Sequence, residues 1–149
     1  MANNKKIGIT ADHAGYHLKE KVLNYLIKEG YNITDLGTFS SENVDYPEFG
    51  HKLAEAVSEG KYDIGISICG TGNGMNMTVN KHQGIRSALC WNEEISRLAR
   101  AHNDANVCAL AARFISEAEA YVIVKTFLET PFEEGRHRRR IDKIPLKTY

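Results

Sequence analysis

Three short segments of this chain carry side chains suited to moving protons and holding anions. They are Asp12-His13, Cys69 with the turn Gly70-Thr71-Gly72-Asn73-Gly74, and Arg113. A cysteine acts as base or nucleophile when its thiolate is favoured, and the junction between a strand end and a helix N-terminus favours it. Glycines at 70, 72 and 74 let backbone N–H groups converge on an anion or oxyanion. The turn is not a P-loop, because no Gly-Lys-Ser/Thr follows, and its spacing is not GxGxxG. The same glycines also suit a plain tight connection, and spacing alone leaves both readings open. Cys69 is likewise open between chemistry and packing, whereas Cys90 and Cys108 fall inside apolar runs and read as packing residues. His102-Asn103 adds an imidazole, the side chain that titrates nearest neutrality. His17, His51 and His82 carry no such argument. The densest positive charge is Arg136-His137-Arg138-Arg139-Arg140. It reads as a solvated helix, a nucleic-acid patch or a phosphate clamp. In the last reading Arg136 and Arg140, four apart, share a helical face and offer planar guanidinium forks.

The elements that must hold these residues alternate in type. Short β-type runs are expected at 6–10, 31–36, 63–68, 84–90 and 106–111, and helical periodicity at 17–28, 47–58, 93–101 and 116–128. A short helix should follow the glycine turn. Pro47 suits a first helical turn, and Ser116 with Glu119 has capping-box spacing. Strands alternating with helices of crossover length predict right-handed βαβ units. The fold class expected is therefore α/β: one doubly wound, Rossmann-like domain over 1–149, with a five-stranded parallel sheet and helices on both faces. In such folds ligands sit beyond the carboxyl ends of the strands. Asp12, Cys69 and Arg113 follow strands one, three and five, so they should share one rim.

Composition narrows the classes. The chain has 149 residues, with 19 Lys plus Arg balanced by 19 Asp plus Glu. That length supports one core without staples, and zero net charge argues against a dedicated nucleic-acid binder. Three cysteines without a CxxC argue against a disulfide framework or zinc knuckle. No apolar run approaches a membrane span, and no signal-like segment stands at the N-terminus, so a cytoplasmic protein is expected.

Several segments together carry a resemblance. In order they are Ala11-Asp12-His13-Ala14-Gly15, Asp45-Tyr46-Pro47, Cys69-Gly70-Thr71-Gly72, Asn80-Lys81, Gly84-Ile85-Arg86, His102-Asn103-Asp104-Ala105-Asn106-Val107 and Gly135-Arg136-His137. The chain closely resembles the type B ribose-5-phosphate isomerases, in the family that also holds galactose-6-phosphate isomerase subunits. The resemblance implies aldose–ketose isomerisation of a sugar phosphate with no metal or organic cofactor. By position it implies Cys69 as the base between C2 and C1, with Thr71 near the thiol. Gly70, Gly72, Asn73 and Gly74 would line the enediolate, and His102 would aid ring opening. Asp12, His13 and Asn103 would hold hydroxyls, and Arg113, Arg136 and Arg140 the phosphate. One branch of the family carries a glutamate base at the position of Asn73; an amide cannot serve, which leaves Cys69. Met77 and Trp91 also depart from the family pattern.

The resemblance also implies a homodimer with shared sites, or a tetramer of such dimers. Strand polarity agrees, because His102 precedes strand five and lies at the opposite pole from Cys69. Residues 133–149 are then a basic tail reaching a partner subunit. The alternatives are a hexose 6-phosphate isomerase subunit, for allose or galactose, and a non-catalytic phosphate-binding module.

Overall fold

A computed structural model describes residues 4–147. Residues 1–3 and 148–149, the extremes of the expected domain and tail, lie outside the described residues. Five strands, β1 (Lys6–Ala11), β2 (Asn32–Asp35), β3 (Ile64–Cys69), β4 (Ser87–Leu89) and β5 (Val107–Ala111), form one parallel sheet in the order β2-β1-β3-β5-β4. Helices α1 (Tyr16–Lys28), α4 (Glu93–Ala101) and α5 (Glu117–Glu129) cover one face, and α2 (Tyr46–Ser58) and α3 (Asn73–Val79) the other. A final helix, α6, spans Arg136–Ile141.

The central strands β1, β3 and β5 are mostly apolar and, Lys6 aside, buried along their length, because both of their faces are covered, as parallel sheets require. Ile7, Ile9, Ile66, Ile68 and Leu110 are fully buried, each contributing about 1.5–3 kcal/mol relative to exposure. Leu18, Val22 and Leu26 recur at three- and four-residue spacing and turn one face of α1 into this core. The helix α5 starts as expected: the Ser116 hydroxyl accepts from the Glu119 N–H, and the Glu119 carboxylate accepts from the Ser116 N–H.

The fourth strand is shorter than its apolar run. It covers Ser87–Leu89, not 84–90, because residues before it bond elsewhere. Arg86 N–H donates to the Asn106 side chain at 2.8 Å, and Asn80 holds both the N–H and the carbonyl of Ser87. Cys90 therefore lies one residue past β4, where it is buried, as is Cys108 in β5.

The order places a switch point between β1 and β3. The chain leaves β1 for β2 on one side and returns to β3 on the other, so the connections after β1 and β3 diverge and open a crevice.

Candidate functional site

Each wall of this crevice is set by a specific local contact. Beyond β1, Asp12 is buried; its N–H donates to the Ile68 carbonyl at 3.2 Å, and its Oδ1 accepts from the Gly15 N–H at 3.0 Å. Gly15 is obligatory, since a Cβ there would stand 2.5 Å from the Ile68 oxygen. His13 Nδ1 lies 3.2 Å from both the N–H and the carbonyl of Val44, which ties the ring to the loop before α2. Behind β1 sits a buried cation. Lys19 Nζ is 2.6 Å from Asp35 and 2.8 Å from Glu20. Asp35 in turn accepts from the Gly37 N–H, and the Gly37 carbonyl accepts from the Thr10 hydroxyl and the Ala11 N–H. This network fixes the strand end from which Asp12 and His13 project.

Cys69 is the last residue of β3 and is 4% exposed. Its carbonyl accepts from the Ala112 N–H, and the Gly70 carbonyl accepts from Arg113 N–H, so the end of β5 is stitched to the glycine turn. The Arg113 guanidinium lies over Gly70, about 3.1 Å from where a Cβ would stand. Gly72 is left-handed at φ 75°, and Asn73 N–H donates to the Thr71 hydroxyl oxygen at 3.2 Å. Thr71 thereby keeps its own proton for another acceptor.

Together Asp12, His13, Cys69, Gly70, Thr71, Gly74 and Arg113 line one cleft of about 300 Å³. The expected shared rim is therefore present. Gly72 and Asn73 are not among the lining residues: Gly72 faces Leu89 and Leu110 and serves the turn, while Asn73 opens α3. Neither Met77 nor Trp91 lines this cleft, although both are exposed. Tyr46, by contrast, does line it; its ring lies against Gly74, where a Cβ would meet it at 2.6 Å.

His102, Asn103, Arg136 and Arg140 are not in this cleft. His102 caps α4 at the end of the sheet where β5 begins. The Asn103 carbonyl accepts from Arg86, and Asp104, left-handed at φ 45°, pairs with Arg86 and Arg100. The tail packs here: the His137 ring stacks on His102 with centroids 4.2 Å apart. Arg136 and Arg140 are exposed on α6, whereas Arg138 pairs with Glu134 at 3.1 Å and lies over the Phe132 ring. Strands of five and six residues separate the two clusters, about 17–20 Å.

Comparison with known proteins decides the family. The model of the ribose/galactose isomerase family matches residues 7–144. The chain belongs to this family. It is 41% identical over 140 residues to ribose-5-phosphate isomerase B of Escherichia coli, covering 94% of each chain. Among solved structures, the ribose 5-phosphate isomerase of Thermotoga maritima superposes with TM-score 0.93 at 48% identity, over 95% of this chain and 98% of that one. The ribose-5-phosphate isomerase B of Mycoplasma genitalium, solved with bound ribulose-5-phosphate, gives 0.89 at 43% identity, over 93% of each. One sheet carries both clusters. No helix among the described residues is long and apolar enough to cross a membrane.

Proposed function

We propose that this chain interconverts ribose 5-phosphate and ribulose 5-phosphate through an enediolate, at a site assembled from two subunits. The observation that carries the reading is the cleft in which Cys69 meets Asp12, His13, Thr71 and Arg113. The substrate follows from the relatives, which act on pentose 5-phosphates by name.

The furanose opens first. The C1–O4 bond breaks, O4 takes its electron pair and a proton from His102, and the anomeric hydroxyl loses its proton to water as C1=O forms. Cys69 thiolate then removes the C2 proton, and the electron pair left on C2 forms C1=C2 while charge moves to O1. Backbone N–H groups of Gly70, Thr71 and Gly74, the turn residues that line the cleft, face that charge, where preorganised donors are most effective. The thiol returns its proton to C1. The O2 hydroxyl proton passes to O1, with the Thr71 hydroxyl as relay, and C2=O forms. Arg113, with Arg136 and Arg140, holds the phosphate, whose binding energy positions the small reacting end. Asp12, His13 and Asn103 hold sugar hydroxyls.

His102 and the arginines reach Cys69 only from a second copy. An antiparallel twofold dimer sets the carboxyl pole of one subunit against the opposite pole of its partner and creates two equivalent sites. The tail then completes the partner's site. The three unpaired cysteines suit a reducing cytoplasm.

The test is Cys69→Ala in an isomerase assay with ribose 5-phosphate, allose 6-phosphate and galactose 6-phosphate. Turnover of the pentose should fall by about 10²–10⁴-fold or more while phosphate binding persists. Near-normal turnover in the variant rules out Cys69 as base. Faster turnover of a hexose by the unaltered protein reassigns the substrate, and binding without turnover makes it a binding module.

A further inference from the structure

Glu133 has no part in the chemistry above, yet it faces the imidazole assigned to ring opening. Its N–H donates to the Ala101 carbonyl at 3.0 Å, which draws it onto the end of α4. Its Oε2 lies 3.5 Å from Nε2 of His102 and 3.5 Å from Nε2 of His137. The turn that delivers it is built for that place. Glu134 and Gly135 both have a φ of 64°, and Arg138 anchors the turn through Glu134 and Phe132.

The ligand-capable atoms of His102, Glu133 and His137 lie within 4.8 Å of one another. A metal ion must lie near the plane of each imidazole it binds. Rings stacked 4.2 Å apart and parallel to within 12° share no such point nearby. A carboxylate oxygen 3.5 Å from each Nε2 instead gives the two rings one shared counter-charge, which needs no common plane.

The two rings differ in burial, His137 being the more enclosed. Burial, then His102 and Arg136, hold the His137 imidazole below its ordinary range, with Glu133 acting the other way. Burial thus disfavours a proton on His137, while His102 is the half-exposed ring of the stack. The remaining charges facing this stack are Glu94 and Arg97 on α4, which pair with each other, and Arg136 and Arg140 on α6.

We propose that Glu133 is a positioning residue for ring opening: it holds the His102 ring stacked on His137 and supplies the counter-charge for the proton that His102 delivers to O4. This rests on the assignment of His102 given under Proposed function.

Ribulose 5-phosphate permits a test that separates ring opening from proton transfer. Its C5 oxygen is esterified, so it cannot close into a furanose through that oxygen and enters as the open chain. Cys69 can then remove a C1 proton and return a solvent deuteron with no ring step. Glu133→Ala and Glu133→Gln are assayed in ²H₂O for turnover of ribose 5-phosphate and for deuterium wash-in at C1 of ribulose 5-phosphate. In Glu133→Ala, kcat from ribose 5-phosphate should fall roughly tenfold or more, with KM and wash-in changed by no more than about twofold. Glu133→Gln, which keeps the shape, should retain more turnover. Wash-in falling in step with turnover, or turnover unchanged, overturns the proposal. Cys69→Ala must lose both signals and His102→Ala must show the same split. If His102→Ala lacks it, the reading of His102 falls and the proposal with it. If His102→Ala shows the split and the Glu133 variants do not, only the proposal falls.

Discussion

Gly72 concentrates the steric demands of the glycine turn, and Gly72→Ala should measure them. Two costs add at this position. The residue is left-handed at φ 75°, which costs an L-residue about 1–2 kcal/mol. A Cβ would also collide with the Leu89 side chain and lie 3.2 Å from the backbone of Leu110, and overpacking of this kind costs typically 1–3 kcal/mol. Gly60→Ala isolates the first cost. That residue is left-handed at φ 81°, yet no atom stands within 4 Å of its Cβ position. At about 3 °C per kcal/mol for a chain of this size, Gly60→Ala should lower Tm by about 3–6 °C, and Gly72→Ala by about 6–15 °C. The assay is thermal unfolding by circular dichroism at one protein concentration. Turnover by Gly72→Ala below its melting range should fall as well, because the displaced turn carries Gly70, Thr71 and Gly74. Equal Tm losses in the two variants would refute the claim that Gly72 is packed against β4 and β5.

The arginines and His137 give two further expectations. Arg136→Ala and Arg140→Ala should each raise KM for ribose 5-phosphate by about 10–150-fold, a charge-assisted contact being worth roughly 1.5–3 kcal/mol; Arg138→Ala should leave KM nearly unchanged, since Glu134 and Phe132 already hold that guanidinium. Equal losses at all three positions would mean a diffuse basic patch. The His137 pKa is lowered in the fold from 6.5, chiefly by burial. Below that value the unfolded chain therefore binds more protons, so the stabilisation is present above about pH 6.5 and lost as pH falls. His137→Phe keeps a stacking ring without a titrating group, and its Tm should fall less than that of the unaltered protein between pH 7 and pH 5.

The site was legible in the sequence where backbone polarity alone sets position. Asp12, His13 and Arg113 follow strands and Cys69 ends one, and in a parallel sheet all strand ends of one sense share a rim, so no side-chain detail was needed. Tyr46 was not legible as a wall of the cleft, because its placement depends on how α2 docks on α3 at Gly74. Lys19 was hidden for a different reason. Helical periodicity assigns a lysine to solvent, whereas here Asp35 and Glu20 supply the charge that lets it be fully buried. The contact of Glu133 and His137 with His102 gave no signal either, since it joins residues about thirty positions apart through a turn with positive φ. The over-long fourth strand has a similar origin: Asn106 and Asn80 bond to the backbone that the apolar run assigned to the sheet.

The most direct test of the two-subunit site is subunit mixing. Cys69→Ala and His102→Ala proteins, each inactive alone, are unfolded and refolded together in equal amounts, and isomerase activity is measured with ribose 5-phosphate. Random pairing makes half of the dimers mixed. Each mixed dimer has one site with both residues lost and one with both intact, so roughly a quarter of wild-type activity should return. Activity that stays absent although mixed dimers form would place His102 in the site of its own chain and contradict the account.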